Sequence, residues 1–480
     1  MARSRPNIVY IFADEWRAQA TGYAGDVNCD TPNLDRLAEQ SVSLDAAVAG
    51  CPVCCPARAS ILTGLYPLSH GVFINDVELD PSLPSIATIF GQAGYQTGYI
   101  GKWHVYGSPD GHYGRRHSFV PRDYQLGFDY WKGFECTHDY NDSYYFFNDD
   151  PTPRKWEGYD AFPQAEDAAA YIADHAGGEE PFLLMLSWGP PHFPLHTAPE
   201  EYRERYQNRE IELRPNLPEH RRDLAIKELR GYYAHIAALD DALKVVLDAV
   251  DRAGIAEDTI LVFTSDHGDM RQSQGLRTKL FPWDESVRVP FLVRWRAALS
   301  GATRRGEPGA GPDVAPPGPG SRLQVPIDTP DHLPTLLGLA GLDVPDTLEG
   351  RDWSPVLRGE ETLGGDEAAL LMMAAQFTEL CQTDIPPYRG LRTPGYTYVR
   401  TRSEPWLLYD NQADAYQMNN LVGDPASREV REELDRRLWA RLDQLRDGFE
   451  DGRILLEKAG LTHYKEVHFP VETPWRDPWK

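Results

Sequence analysis

Residues 7–13 read Asn-Ile-Val-Tyr-Ile-Phe-Ala, a continuous apolar run that is rich in β-branched and aromatic side chains. A strand with one solvated face would alternate apolar and polar residues, so this run predicts a strand buried on both faces in a parallel sheet. Two carboxylates, Asp14 and Glu15, follow directly. Because α/β folds bind ligands at the carboxyl ends of such strands, both are candidate ligand groups. Capping of a following helix by Asp14 is the alternative.

Three later segments, residues 96–101, 181–188 and 259–264, repeat the pattern of an apolar strand that ends in polar residues. Between the last two, residues 219–254 carry apolar side chains at helical spacing, and strands alternating with helices predict an α/β fold. An Asp-His pair beyond a buried strand is a metal-ligand candidate by itself, whereas a lone lysine or histidine is more often a surface group. The polar residues that follow the three strands are Lys102, His104, His192, Asp266 and His267.

Residues 51–64, Cys-Pro-Val-Cys-Cys-Pro-Ala-Arg-Ala-Ser-Ile-Leu-Thr-Gly, predict the entry to a helix. Pro56 suits the first helical turn and Gly64 suits a helix end. Arg58 in that turn and the free backbone N–H groups would form an anion site, with the thiol of Cys54 beside it. The alternative is a small apolar helix that carries buried cysteines.

The bulk composition limits the class of protein. A chain of 480 residues with 41% hydrophobic content can bury a large core. A formal net charge of −25 argues against nonspecific binding to nucleic acid, but a local basic cluster could still bind an anionic substrate. Six cysteines do not make a disulfide framework, which leaves Cys51-x-x-Cys54 as a candidate redox pair or half of a zinc site. With no signal peptide and no membrane-spanning apolar run, we expect a cytoplasmic protein without a membrane partner.

These motifs resemble, in order and over residues 7–425, those of the type I sulfatases of the alkaline-phosphatase superfamily. Cys54-Cys-Pro-Ala-Arg58 followed by Leu62-Thr-Gly64 is similar to the family signature, and Gly101-Lys-Trp-His104, Pro191-His-Phe-Pro194, Ser265-Asp-His-Gly268 and Lys279 match later landmarks. The resemblance implies an α/β catalytic domain over residues 1–365, with a mostly parallel central sheet flanked by helices. It also implies a smaller C-terminal domain with an antiparallel sheet over residues 366–480.

The resemblance further implies the chemistry of the site. A separate maturation enzyme would oxidise Cys54 to formylglycine, whose hydrated aldehyde is the nucleophile in this family. A divalent metal, Ca²⁺ or else Mg²⁺ or Mn²⁺, would be bound by residue 54 together with Asp14, Glu15, Asp266 and His267. Glu15 is a departure, because the family usually has Asp or Gln there. Gln274 is another, because many relatives have a histidine before the glycine of that loop.

The resemblance also implies roles for the basic residues. Three cations would neutralise charge on the sulfate oxygens, namely Arg58, Lys102 and Lys279. His192 would hydrogen-bond the ester oxygen and help to protonate the leaving alcohol. His104 would take the proton from the second hydroxyl of the nucleophile as sulfate leaves.

Residues 124–159 are rich in aromatic, acidic and amide side chains and show no clear period. We predict a long loop that shapes the alcohol side of the pocket, with His138 and Tyr140 as substrate-binding residues; ordinary loop packing is the alternative. The loop's acidic residues would repel a highly anionic polymer, so we expect an exo-acting hydrolase of a small sulfated sugar with neutral or cationic groups. These acidic residues are Asp142, Asp149 and Asp150.

The predicted function is therefore hydrolysis of a sulfate ester, with a small sulfated carbohydrate as the substrate. A first alternative keeps the fold and makes the chain a phosphonate or phosphate ester hydrolase of the same superfamily. A second is a non-catalytic redox or binding module built on Cys51 and Cys54, but it leaves the polar residues beyond the strands unexplained. A homo-oligomer is compatible with the sequence.

Overall fold

The computed structural model describes residues 5–296, 317–383 and 385–464. Its strands are β1 (Asn7–Asp14), β2 (Val42–Leu44), β3 (Gln96–Lys102), β4 (Tyr130–Phe134), β5 (Tyr144–Phe147), β6 (Asp150–Lys155), β7 (Phe182–Pro191), β8 (Thr259–Ser265), β9 (Leu292–Arg294), β10 (Arg322–Leu323), β11 (Ala369–Met373), β12 (Tyr388–Arg392), β13 (Tyr396–Arg400) and β14 (Pro405–Asp410). Its α-helices are α1 (Pro32–Glu39), α2 (Cys54–Thr63), α3 (Pro67–His70), α4 (Ile86–Gln92), α5 (Ala161–His175), α6 (Glu200–Gln207), α7 (Arg222–Arg252), α8 (Asp284–Val287), α9 (His332–Leu339), α10 (Ser354–Leu357), α11 (Arg428–Gln444) and α12 (Gly452–Ala459).

In the described part of the chain, ten strands form one mixed sheet in the order β10-β2-β9-β8-β1-β7-β3-β4-β5-β6. The centre is parallel, because β1 runs between β8 and β7 in the same direction and β3 pairs in parallel with β7 and β4. The flanking pairs β8–β9 and β4–β5 are antiparallel. The carboxyl ends of β8, β1, β7 and β3 therefore meet at one edge, and the predicted α/β fold is confirmed.

Strand β1 shows why its sequence is apolar throughout. Ile8, Tyr10 and Phe12 pack into one hydrophobic core, while Val9 and Ile11 pack into a second core on the opposite face. Each of these side chains is at most 2% exposed. Residues of α5 and α7 belong to the second core, and residues of α2 and α9 belong to the first. The prediction of a strand buried on both faces is confirmed.

Strands β11 to β14 form a separate antiparallel sheet in that order, as expected for the C-terminal region. Its side chains Leu371, Tyr388 and Leu408 join the first core, so the small sheet packs on the α2 side of the large one. The backbone N–H of Met372 also donates to the carbonyl of Gly50 at 2.8 Å, just ahead of α2. The domain boundary at residue 365 stays a prediction.

The stretch that we predicted as one long loop contains three strands, β4, β5 and β6. They are four to six residues long, and β5 carries aromatic side chains on both faces, so no alternation of apolar and polar residues marks it. Two of the acidic side chains there are exposed and paired within the same ribbon, Asp150 with Arg154 at 2.7 Å and Asp142 with Lys155. Because each carboxylate is paired with a nearby cation and exposed to solvent, its charge has little effect on a substrate bound farther away.

None of the helices in residues 5–296, 317–383 and 385–464 combines the length and the apolar character that crossing a bilayer requires.

Candidate active site

Four buried side chains that come from three separate segments form a candidate metal centre at the carboxyl edge of the sheet. Their ligand atoms all lie within 4.8 Å of one another. The imidazole Nε2 of His267 is 3.2 Å from the sulfur of Cys54 and 3.5 Å from Oδ1 of Asp14. The four residues are Asp14, Cys54, Asp266 and His267.

The fold explains this convergence. Asp14 ends β1 and Asp266 follows β8, and the parallel pairing of these two strands brings their ends together. Cys54 is the first residue of α2, which ends at Gly64 with a left-handed φ of 69°, so the predicted helix entry is confirmed. The Nδ1–H of His267 donates to the carbonyl of Gly268 at 2.8 Å, which leaves the lone pair of Nε2 turned toward the group.

Arg58 holds this centre together. Its guanidinium donates to Asp266 at 2.9 Å, to Asp14 at 3.3 Å, to the hydroxyl of Ser187 at 2.7 Å and to the carbonyl of Lys102 at 2.9 Å. Lys102 also binds the carboxylate of Asp14. Burial opposes ionisation of Asp14, but its cationic neighbours, Lys102 foremost, hold the pKa of this carboxyl well below its usual range.

The thiol of Cys54 is a weak nucleophile in this environment. Burial, reinforced by the carboxylate of Asp14, raises the pKa of Cys54 to about 12. Burial also raises the pKa of Cys51 well above its usual value. A redox pair reacts through its thiolate form, so the raised pKa values of these two thiols argue against the redox-module alternative.

A second cluster lies beside the first and contains two of the predicted catalytic residues. The ammonium of Lys279 donates to Glu15 at 2.7 Å and to Nε2 of His192 at 2.8 Å. The Nδ1–H of His192 donates to the carbonyl of Phe193 at 2.8 Å, so Nε2 is the nitrogen that faces the site. Burial and the charge of Lys279 hold the pKa of His192 well below its usual value.

The structure separates Glu15 from the predicted metal ligands. Its carboxylate pairs with Lys279 and, at 3.0 Å, with Arg271, and it is not part of the group of four. Its backbone has a positive φ of 69°, which is in the left-handed region. The candidate group therefore contains Asp14, Asp266, His267 and the residue at 54, and the role of Glu15 as a further ligand stays a prediction.

His104 lies close to the centre with its ring nitrogens unused. Within the described residues neither nitrogen has a hydrogen-bond partner, and Nε2 is 3.9 Å from Asp76. Its backbone φ of 58° is in the left-handed region, a conformation that non-glycine residues adopt mainly where the surroundings demand it. Burial and the charge of Lys102 lower the pKa of His104 well below its usual value, so the ring is neutral.

The two predicted substrate-binding residues have different positions. The half-buried ring of His138 stacks on the ring of His192, with centroids 4.4 Å apart and planes 15° apart. The ring of Tyr140 is fully buried and its hydroxyl lies 3.2 Å from the carbonyl of Phe193 and 3.3 Å from that of Gly189. Tyr140 thus supports the loop that carries His192, and its contact with the substrate stays a prediction.

Sequence reasoning missed several supporting residues. Ser187 links Arg58 to the carbonyl of Lys102 at 2.7 Å, and Asp76 lies beside His104 and pairs with Arg116 at 2.5 Å. Neither residue stands next to a motif, so no sequence signal could have found it. The departure at Gln274 also has a structural role, because its amide donates to the carbonyl of Gln417 at 3.0 Å and joins this loop to the C-terminal region.

Comparison with known proteins agrees with this geometry. The family model described as Sulfatase matches residues 6–342, and the one described as N-sulphoglucosamine sulphohydrolase, C-terminal, matches residues 318–444. An "Ulvan-active sulfatase" of Formosa agariphila is 42% identical over 95% of this chain and 84% of its own length. An "Endo-4-O-sulfatase" of Bacteroides thetaiotaomicron is 28% identical over 94% of this chain and 95% of its own length.

A solved structure gives the same result. It comes from work on the metabolism of glycosaminoglycans by Bacteroides thetaiotaomicron, and it is 26% identical with a TM-score of 0.79. The alignment covers 96% of this chain and all of the other. The chain belongs to the type I sulfatase family of the alkaline-phosphatase superfamily and is an enzyme that hydrolyses sulfate esters.

Proposed function

We propose that this enzyme removes sulfate from a sulfated carbohydrate, with formylglycine at position 54 as the nucleophile and a hard divalent metal in the buried group. One observation carries the proposal. Asp14, Cys54, Asp266 and His267 converge within 4.8 Å, and the cations Arg58 and Lys102 line the same buried site.

The donor set fits a divalent metal. Two buried carboxylates and an imidazole whose free nitrogen faces them supply oxygen and nitrogen ligands with two negative charges. Carboxylate oxygens suit Ca²⁺, Mg²⁺ or Mn²⁺, and we name Ca²⁺ first. When bound, such an ion supplies positive charge that polarises the ester and favours the ionised form of the attacking hydroxyl.

Conversion of Cys54 to formylglycine is supported by the motif and by the site. The protonated thiol is a poor nucleophile beside two carboxylates, whereas a hydrated aldehyde supplies oxygen, the harder ligand that the proposed metal prefers. Because Cys54 is only 1% exposed, a maturation enzyme could reach it only before α2 packs into the core. Conversion before folding is therefore part of the proposal.

The surrounding side chains have roles that follow from their contacts. Arg58 is fully engaged with the carboxylates and backbone, so it positions the ligands, while the ammonium groups of Lys102 and Lys279 supply charge for the sulfate oxygens. Nε2 of His192 accepts a hydrogen bond from the ammonium of Lys279, so this pair can supply a proton to the leaving alcohol. The neutral ring of His104 has one unprotonated nitrogen, and this nitrogen can accept a proton released at position 54.

A carbohydrate is the substrate class that we favour. Sugar hydroxyls and ring faces pair with polar and aromatic side chains, and the stacked rings of His138 and His192, with Phe193 beside them, offer such a surface. Relatives named for ulvan and for endo-4-O-sulfatase activity agree with this choice.

The test combines mass spectrometry with a substrate panel. Peptides of active enzyme should contain formylglycine at position 54, and ion chromatography should detect sulfate released from at least one sulfated monosaccharide or disaccharide. Aryl sulfate and aryl phosphonate esters, assayed side by side, measure the preference between sulfur and phosphorus. Full activity with an unmodified thiol at position 54 would contradict the nucleophile, and turnover of phosphonates alone would contradict the substrate class.

A further inference from the structure

A second cavity opens beside the candidate active site. It has a volume of about 500 Å³, within the range of small-molecule sites. Phe193 and Thr278 line it, and each is the chain neighbour of a proposed catalytic residue, His192 and Lys279 respectively. The cavity therefore lies on the side of His192, where the alcohol part of the substrate would leave.

The lining of this cavity has a formal excess of positive charge although the chain as a whole is acidic. Its lining contains three arginines, Arg221, Arg271 and Arg277, and one carboxylate, Glu228. The larger groove that continues outward is lined by four basic and four acidic side chains, so its formal charge is balanced. Of these two neighbouring spaces, only the inner cavity has an excess of positive charge.

Two of the three arginines already have partners. Arg271 pairs with Glu15 at 3.0 Å and with Asp269 at 3.4 Å. Arg277 pairs with Glu228 at 3.2 Å, and the same carboxylate accepts a hydrogen bond from Gln272 at 2.8 Å. The carboxylates near the cavity are thus used by these two arginines and Gln272.

Arg221 is different. Its Nε atom is shielded from solvent and has no hydrogen-bond partner, and its guanidinium forms no ion pair with the residues that the structure describes. It stands directly before α7, where its backbone N–H donates to the carbonyl of Pro218 at 2.9 Å and fixes its position. A guanidinium presents planar donors that match a carboxylate or sulfate group.

We propose that this cavity is an anionic subsite, in which Arg221 binds a carboxylate or a second sulfate group on the alcohol part of the substrate. The inference rests on the proposed function, because the cavity is a subsite only if a sulfate ester is cleaved beside it. It replaces our expectation of a neutral or cationic sugar, since two of the three acidic residues behind that expectation, Asp142 and Asp150, are paired with Lys155 and Arg154.

The experiment compares matched pairs of substrates. One arm uses mono-sulfated uronic acids, with the sulfate at each ring position in turn, against their neutral carboxyl methyl esters. The other arm uses disulfated against mono-sulfated neutral hexoses, so the two arms distinguish a carboxylate from a sulfate as the bound group. We expect wild-type kcat/KM to favour the more anionic member of the pair in one arm.

The variant Arg221→Gln should lose about 10- to 100-fold of that preference, the range for a charge-assisted contact, while its kcat/KM on the neutral partner stays within about threefold. Arg221→Lys should keep part of the preference because it keeps the charge. The matched control is Lys227→Gln, which removes an exposed positive charge from the adjacent balanced groove. We expect it to keep the wild-type preference.

Equal rates on both members of every pair, or a preference for the neutral member, would overturn the subsite. An equal loss of preference in Lys227→Gln and Arg221→Gln would also overturn it, because the effect would then come from the overall field of the groove. The proposed function fails separately, by an absence of sulfate release from every member of the panel, neutral esters included.

Discussion

Replacing Asp266 by asparagine tests the candidate metal centre directly. One oxygen of Asp266 accepts a hydrogen bond from Nε of Arg58 at 2.9 Å, and the other accepts one from the backbone N–H of Glu15 at 3.2 Å. Asparagine has one acceptor oxygen and one donor group in these places, so one of the two donors loses its partner. The buried Arg58 also loses half of its carboxylate charge, and breaking a buried ion pair of this kind costs about 3–5 kcal/mol.

Loss of the bound metal should lower the free energy of unfolding of the variant by a further amount, which can be measured separately. An ion present at 100 times its Kd stabilises the folded wild-type enzyme by about 2.7 kcal/mol, and Asp266→Asn should lose that increment. The free energy of unfolding of the variant should then fall below that of the wild type by about 6–8 kcal/mol with metal, and by about 3–5 kcal/mol in EDTA. Loss of a residue that only supports a metal ligand typically costs about 10- to 100-fold in activity. Asp266→Asn changes a proposed ligand itself, so its rate of sulfate release should fall by more than that.

The assay is denaturant unfolding with metal and with EDTA, together with elemental analysis of the purified protein. Asp269→Asn is the matched control, because Asp269 is equally buried in the same loop but pairs with Arg271 outside the group of four. It should lose stability while it keeps the metal-dependent increment. If Asp266→Asn kept the same increment and the same bound metal as the wild type, Asp266 would not be a ligand.

Four further predictions follow from the same site and its surroundings. Cys54→Ala should abolish sulfate release, whereas Cys55→Ala should leave formylglycine at position 54 detectable by peptide mass spectrometry; the reverse pattern would reassign the nucleophile. His104→Ala should lower kcat by about 10²- to 10⁴-fold with little change in unfolding, and an unchanged kcat would remove its role as a base. His138→Ala should reduce kcat/KM on a sulfated sugar more than on a small aryl sulfate; equal losses would mean that the ring only supports His192. Burial raises the pKa of Asp160 to about 8, so its ionised form is penalised in the folded state and its contribution to stability falls as the pH rises from about 4 to about 8. Asp160→Asn removes this penalty, and its advantage in denaturant unfolding should grow by about 3 kcal/mol between pH 5 and pH 7; an advantage that does not change with pH would refute the buried-acid argument.

Much of the framework was predictable because it depends on local chemistry. A run such as residues 7–13 cannot leave either face in water, so the sequence alone predicts a strand within a layered sheet. The polar residues beyond the strands were also predictable as one site, since parallel strands bring their carboxyl ends to one edge. The helix entry at Cys54 has its own local signals in Pro56 and Gly64.

The short strands β4, β5 and β6 were not predictable in this way. Their pairing depends on contacts with β3 and with one another, and their aromatic residues lie on both faces. An alternation of apolar and polar residues marks a strand only where one face is buried and the other is solvated, and these strands lack that contrast. The stretch that we predicted as a loop therefore contains three strands at the edge of the large sheet.

The sequence by itself determined the class of fold, the motif residues and their order, because these follow from hydrophobic pattern and residue chemistry. Only the tertiary structure decided which carboxylate joins which cation. Glu15 and Asp14 are adjacent in the chain, yet they have different partners. Glu15, whose backbone φ is 69°, pairs with Lys279, whereas Asp14 pairs with Arg58 and Lys102. Tyr140 likewise hydrogen-bonds the carbonyl of Phe193, and Arg221 lines the neighbouring cavity without an ion pair among the described residues. Side-chain direction and pairing depend on long-range packing, and a linear pattern does not encode them.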